Sequence, residues 1–287
     1  MSDLILEYEI IIRTVSFSSI FLIMAVWEIT TPCRTLKISK ITRWLNNLSI
    51  TILNTLLLRF LFPAAALGIA SLSAEKGWGL FNQLDWPLSI LVILTVILMD
   101  FAIYLQHVMF HAIPLLWRLH RVHHADPDFD VTTGARFHPI EIILSMFIKS
   151  CVIVLLGPPL VAVLIFEIVL NAMAMFNHSN IQLHQRIDLW LRSLIVTPNM
   201  HRVHHSQIND EANSNFGFNL TLWDRFFATY RDQPRKSPQL MDIGIREFSR
   251  PEHIVNLLGM LKLPFMSKQD SKPVILPSLE TQDSDIK

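Results

Sequence analysis

The sequence predicts an all-α integral membrane protein, with about four to five transmembrane or hairpin helices and a cytoplasmic helical cap carrying a histidine-rich dimetal site. Three observations predict it. Hydrophobic residues make up 51% of the 287 and charged residues 17%, with a mean hydropathy of +0.39, whereas soluble domains carry ~25% charged residues. Several apolar stretches are long enough to enter or cross a bilayer. Eleven of the 12 histidines fall between His107 and His205. Lysine plus arginine (24) balances aspartate plus glutamate (24), so no global basic field exists for nucleic acid.

The N-terminal stretch carries Asp3, Glu7 and Glu9 where a secretory signal would carry lysine or arginine, so the first apolar segment is expected to be retained. Residues 10–27 are apolar except for Arg13 and, with their flanks, reach spanning length. Residues 48–74 predict a second span around a single charge, Arg59. Residues 88–110 predict a third, in which Asp100 is the only acid or base besides histidine. The apolar run 142–176 is broken by Gly157-Pro158-Pro159, because proline lacks the N–H a helix needs. Its two short arms predict a helical hairpin, either spanning or dipping from one side. Residues 31–47 carry Arg34, Lys37, Lys40 and Arg43 without an acid, against Glu75, Lys76 and Asp85 after the second span. The cytoplasmic bias of cations then puts the N-terminus outside and gathers every histidine cluster at one cytoplasmic face. Residues 253–265 set Ile254, Val255, Leu257, Leu258 and Leu261 at helical spacing, for a helix either on the membrane surface or packed on the cap. Residues 267–287 are polar and proline-punctuated, as in a tail.

The histidines are patterned. His107-x-x-x-His111, His120-x-x-His123-His124 and His201-x-x-His204-His205 form three groups, and the pentapeptide HRVHH occurs twice, letter for letter. Residues three and four apart share one helix face, so each group aims its imidazoles at one point. A metal needs that convergence, because a neutral imidazole offers one lone pair and only several rings close a coordination sphere. Eight histidines exceed what one tetrahedral zinc can use, so the count predicts two metals. Cys33 and Cys151 can build neither a disulfide framework nor a thiolate site.

HVMFH at 107–111, HRVHH at 120–124, RFHPIE at 136–141, FNH at 176–178 and TPNMHRVHH at 197–205, followed by NSNFGFN and LWDRFFATY, resemble the fatty acid hydroxylase superfamily. Its members include sterol desaturases, C4-methyl sterol oxidases and alkylglycerol monooxygenase, and the C-terminal motifs are most similar to the last branch. The resemblance covers about residues 88–232. It implies a membrane-bound oxygenase that uses two Fe ions, O2 and external electrons to hydroxylate, or desaturate, a lipid such as a sterol, fatty acyl or ether lipid. The metal ligands it implies are His107, His111, His120, His123, His124, His201, His204 and His205, with His178 as the ninth. The sequence has no G-x-G-x-x-G and only 8 glycines, so electrons are expected from a separate donor, a reductase with a cytochrome, ferredoxin or similar carrier. The domains implied are N-terminal membrane helices at 1–87, the catalytic domain at 88–232 and a cytoplasmic tail at 233–287. The expected location is a bacterial inner membrane, or the endoplasmic reticulum in a eukaryote.

Asp100 and His138 are the candidate catalytic residues beside the ligands. Asp100, Tyr104, His107 and His111 share one helix face, so Asp100 is expected either to orient a ligand or to pair with Arg59. Arg136, His138 and Glu141 form a polar cluster where the chain re-enters the membrane, and His138 is expected either to contact metal or substrate or to make a structural hydrogen bond. Asn213 and Asn215 either bond ligand imidazoles or belong to an ordinary polar loop. His184 and His253 read as surface residues, Trp223 and Phe226 as packing. Two other classes fit less well. A metal transporter needs ligands spread across the bilayer, and a zinc hydrolase needs a base beside an open metal, as in H-E-x-x-H, which does not occur.

Overall fold

The computed structural model describes residues 2–248 and 254–267, with side chains from Leu4 onward, so the surface reading of His253 lies outside the described residues. Among these the fold is all-helical, without strands and with three isolated bridges. The helices are α1 Ser2–Thr30, α2 Lys40–Leu61, α3 Ala65–Lys76, α4 Leu88–Ala112, α5 Pro114–His124, α6 Pro139–Leu156 and α7 Leu160–Asn177. Five short ones follow: α8 Gln185–Leu191, α9 Pro198–His204, α10 Asn209–Ala212, α11 Leu222–Phe226 and α12 Leu257–Lys262.

Five segments are long and apolar enough to cross a membrane: α1, α2 with α3, α4, α6 and α7. The hairpin arms α6 and α7 have 18 residues each, about 27 Å at 1.5 Å per residue, which nearly matches the ~30 Å hydrocarbon core. Gly157 ends α6 at φ 61°, and Gly79 presses against it so closely that a Cβ on Gly79 would meet the Gly157 nitrogen at 2.2 Å.

The second span differs from the expected 48–74. Its helix starts at Lys40 and breaks between Leu61 and Ala65, where Pro63 cannot donate to the ladder. Residues 40–47 are therefore helix, not loop. The cause is a buried ion cluster: Arg43, fully buried, donates through Nε to Asp126 at 2.9 Å and also pairs with Asp130. Arg34 is buried too, and Lys40 pairs with Glu28 at 2.7 Å. Of the four cations that set the expected orientation, two are interior and a third is paired, leaving Lys37 as the exposed charge.

The membrane bundle closes around Leu67 and Ala70 of α3, Met99 of α4, Met146 and Ile153 of α6, and Val163 and Phe166 of α7. A buried acid in it holds two partly buried cations. Glu167 of α7 pairs with Arg13 of α1 and, at 2.6 Å, with Lys149 of α6. Below the spans' polar ends, the cap has its own core, where Val122 and Ala125 pack on Ile50, Phe248, Ile254, Val255 and Met260. The described part of that segment, residues 254–265, thus packs on the cap. Its exposed apolar residues are Leu258 and Phe265, while Arg136 holds the Ile254 carbonyl and Arg118 donates to the Pro264 carbonyl at 2.7 Å.

Candidate metal centre

Four pieces of chain converge at one end of the bundle. The last turns of α4 carry His107 and His111. Pro114, at the first position of α5, is pre-set for a helix and needs no donor there, so α5 begins at once and places His120, His123 and His124 on one face. Pro198 does the same for α9, with the Thr197 hydroxyl accepting from the Met200 N–H, so that His201, His204 and His205 repeat the arrangement. His178 sits just past the end of α7.

All nine expected ligand histidines meet in two groups. His107, His111, His120, His124 and His204 form one, and His123, His178, His201 and His205 the other; within each, one donor atom per residue lies within 4.8 Å of the rest. Eight are buried and His111 is partly exposed. The outward nitrogens are pinned. Nδ1–H of His107 donates to the Phe216 carbonyl at 2.8 Å, that of His204 to Ser214 at 2.8 Å, that of His178 to Ala174 at 2.8 Å, and that of His120 to the Glu141 carboxylate at 2.6 Å. A ring whose Nδ1 carries the proton must present the Nε2 lone pair on its other side, here toward the centre.

Those lone pairs have no donors to meet. Nε2 of His107, His120 and His204, Nδ1 of His123 and His201, and both nitrogens of His205 lack a hydrogen-bond partner. Nε2 of His178 stands 3.0 Å from that of His201 and 3.1 Å from that of His123, and Nε2 of His111 stands 3.1 Å from that of His124. A buried polar atom without a partner costs about 1–3 kcal/mol, so a chain that leaves Nε2 of His107, His120, His204 and His205 unpartnered, beside Nε2 atoms that face only one another, needs cations to satisfy them. The all-nitrogen, all-neutral donor set fits two divalent transition metals. Burial, and then the neighbouring imidazoles, push His123, His124, His201 and His205 well below the usual histidine range, so the rings stay neutral and keep their lone pairs.

The other expected site residues lie around this core. Asp100 touches neither an imidazole nor Arg59. Its carboxylate accepts from the backbone N–H of Asn219 and Leu220 at 3.1 and 3.2 Å and from Trp223 Nε1 at 2.9 Å, and so anchors the loop whose Phe216 carbonyl orients His107. His138 caps α6, its Nδ1 accepting from the Ile140 N–H at 3.2 Å and its Nε2 facing the Leu261 carbonyl at 3.3 Å, the structural alternative. Asn215, in the left-handed region at φ 54°, donates to the Met200 and Arg231 carbonyls rather than to a ring. Asn213 donates to the Asn209 carbonyl at 2.9 Å and its side chain also bonds the ligand His111, as one of the two expected alternatives had it. His184 is exposed and caps α8. Trp223 packs on Phe101 at 4.6 Å between centroids, but Phe226 is 76% exposed and packs on little beyond Phe227, because α11 lies at the edge of the bundle.

Sequence reading left the supports unassigned. Glu141 was legible as an acid at the start of an apolar run, though not as the partner of His120. Gly134 carries a different signal: a Cβ there would lie 2.4 Å from the Ala174 oxygen that holds His178. The Ser214, Phe216 and Ala174 carbonyls leave no trace in side-chain chemistry.

The fatty acid hydroxylase family model matches residues 92–229, a stretch that includes all nine clustered histidines. Ornithine lipid hydroxylase OlsE of Rhizobium tropici is 33% identical over 162 residues, 56% of this chain and 47% of that protein. Alkylglycerol monooxygenase is 25% identical in Homo sapiens, over 48% of this chain and 30% of that protein, and 28% identical in Danio rerio, over 54% and 34%. The chain thus spans about half or less of the curated relatives it matches. No solved structure matches it. The family match and the histidine groups fall on the same stretch, and residues 92–229 of this multi-pass membrane protein match the fatty acid hydroxylase model, in keeping with the two kinds of relative.

Proposed function

We propose that the chain is a di-iron, O2-dependent lipid hydroxylase. The observation that carries this reading is the pair of buried imidazole groups whose inward Nε2 atoms either face one another or have no hydrogen-bond partner. Kinship to lipid hydroxylases and monooxygenases supports lipid hydroxylation over desaturation. The five-histidine group would hold one iron and the four-histidine group the other. Two irons there would supply what no side chain provides, activation of O2 for attack on an unactivated C–H bond.

The chain's own residues prepare the place. Glu141 and the Ala174, Ser214 and Phe216 carbonyls fix ring orientation. Phe129, Phe137 and Phe216 stack on or edge the imidazoles at 4.5 to 5.7 Å and keep water out, which protects a strong oxidant from side reactions. All nine rings sit at one end of the bundle, which favours chemistry at a membrane surface over an ion path through it. We place that end toward the cytoplasm, where a separate reductase delivers electrons. Lipid mass spectrometry of cells with and without the chain, grown under 18O2, tests the reading. The expected result is a lipid that gains one labelled oxygen; no chain-dependent change in any lipid would overturn it.

A further inference from the structure

The geometry points to a second membrane contact outside the five spans: α8 and α11 form an apolar shelf seated in lipid beside α4. This rests on the spans and not on the proposed reaction.

The first observation is depth. The Trp223 ring of α11 stands 4.6 Å from Phe101 and its Nε1 bonds Asp100, while Phe227, next after α11, stacks at 5.9 Å on Phe101 and 5.5 Å on Tyr104. These α4 residues belong to an apolar segment fit to span, and Asp100 lies seven residues before His107, about 10 Å deeper along the helix. The short helix is therefore alongside the bilayer's apolar zone rather than above it.

The second observation is the face α11 turns outward. Leu222 is 50% exposed, Phe226 76% and Phe227 43%. α8 continues that surface with Ile187 (52%), Trp190 (74%) and, just beyond its end, Leu194 (66%). The two helices are joined: Ile195 bridges Leu220, the Thr221 N–H donates to the Leu194 carbonyl at 3.1 Å, and Arg225 donates to the Arg192 carbonyl at 3.2 Å. The inner side of α8 is polar, with Asp188 and Arg192 buried as an ion pair. A short helix with an ion pair inward and Trp, Ile and Leu outward, its exposed charge confined to Arg186, is the reverse of a water-facing one. Arg186 and Arg225 flank the patch, as long cations do where they reach from lipid to the interface.

The third is continuity. On α4 itself Leu105 is 46% exposed, so the patch joins the lipid-facing surface of a span without a break in sequence level. A lipid bilayer is the occupant that covers both at once. The consequence is that the cap is held at a fixed height, with His107 about two helical turns along α4 from the Asp100 level at which α11 is anchored.

Nitroxide labels test this on the full chain in phosphatidylcholine vesicles, in a Cys151→Ser background with buried Cys33 kept. Labels replace Trp190, Leu194 and Phe226 singly, with Ile93→Cys as a lipid standard and Lys236→Cys as a water standard; metal content of each variant reports folding. The expected result is that labels at 190, 194 and 226 collide with O2 as at 93 and are shielded from aqueous nickel chelate. Collision with the chelate as at 236 would overturn the shelf. Shielding from both reagents would overturn it as well, in favour of a protein or a second copy covering the face.

Discussion

Glu141→Ala removes the carboxylate that holds one imidazole of the five-histidine group and leaves the four-histidine group untouched. The His120–Glu141 bond is short, 2.6 Å, and both side chains are 4–5% exposed, so it is a buried, charge-assisted contact. Without the acceptor the Nδ1–H is buried unpaired, at about 1–3 kcal/mol, and the ring is free to turn. Loss of such an outer partner reduces metal affinity ~10 to 100-fold, which is about 1.4–2.7 kcal/mol. The two scales agree. Titration of metal-free protein with Co(II), followed by absorbance and fitted to two sites, should show one site weakened by that factor and the other unchanged. Glu141→Gln keeps an oxygen in place and should lose less. Equal weakening of both sites, or no change in either with circular dichroism intact, would refute the assignment of His120 and Glu141 to one group.

Gly134→Ala should push the Ala174 carbonyl off His178, because the new Cβ would lie 2.4 Å from that oxygen; elemental analysis of the folded variant should find the four-histidine group depleted. Glu167→Gln leaves Lys149 without its counter-charge and Arg13 with Glu9 alone, and should cost about 3 kcal/mol, the low end for a broken buried pair, since Arg13 keeps that second partner and its side chain is 28% exposed; thermal unfolding in detergent measures it. His204→Ala should abolish product formation, whereas His184→Ala, at an exposed helix cap, should change neither metal content nor turnover.

The sequence made some of this legible because the signals were local. Gly157-Pro158-Pro159 can only be a turn, and two copies of HRVHH can only point three rings one way if each is a helix. Pro63 carried an equally local signal against an unbroken span. What was not legible depended on distance along the chain. Arg43 reads as a loop cation until the fold brings Asp126 and Asp130 to it from more than 80 residues away. Lys149 and Glu167 sit in apolar runs because each neutralises the other across the hairpin. Asp100 shares a face with His107, yet its carboxylate went to backbone N–H groups of a loop that no helix periodicity describes. The orientation of four ligand rings by three main-chain carbonyls and one acid is a property of the assembled site, not of any residue pattern.

The claim that the nine imidazoles hold two metals is tested most directly by metal content. Protein purified anaerobically from iron-replete cells, with folding verified by circular dichroism, should contain about two metal ions per chain, chiefly iron, one for each histidine group. One metal per chain, or none, in folded protein would contradict the account.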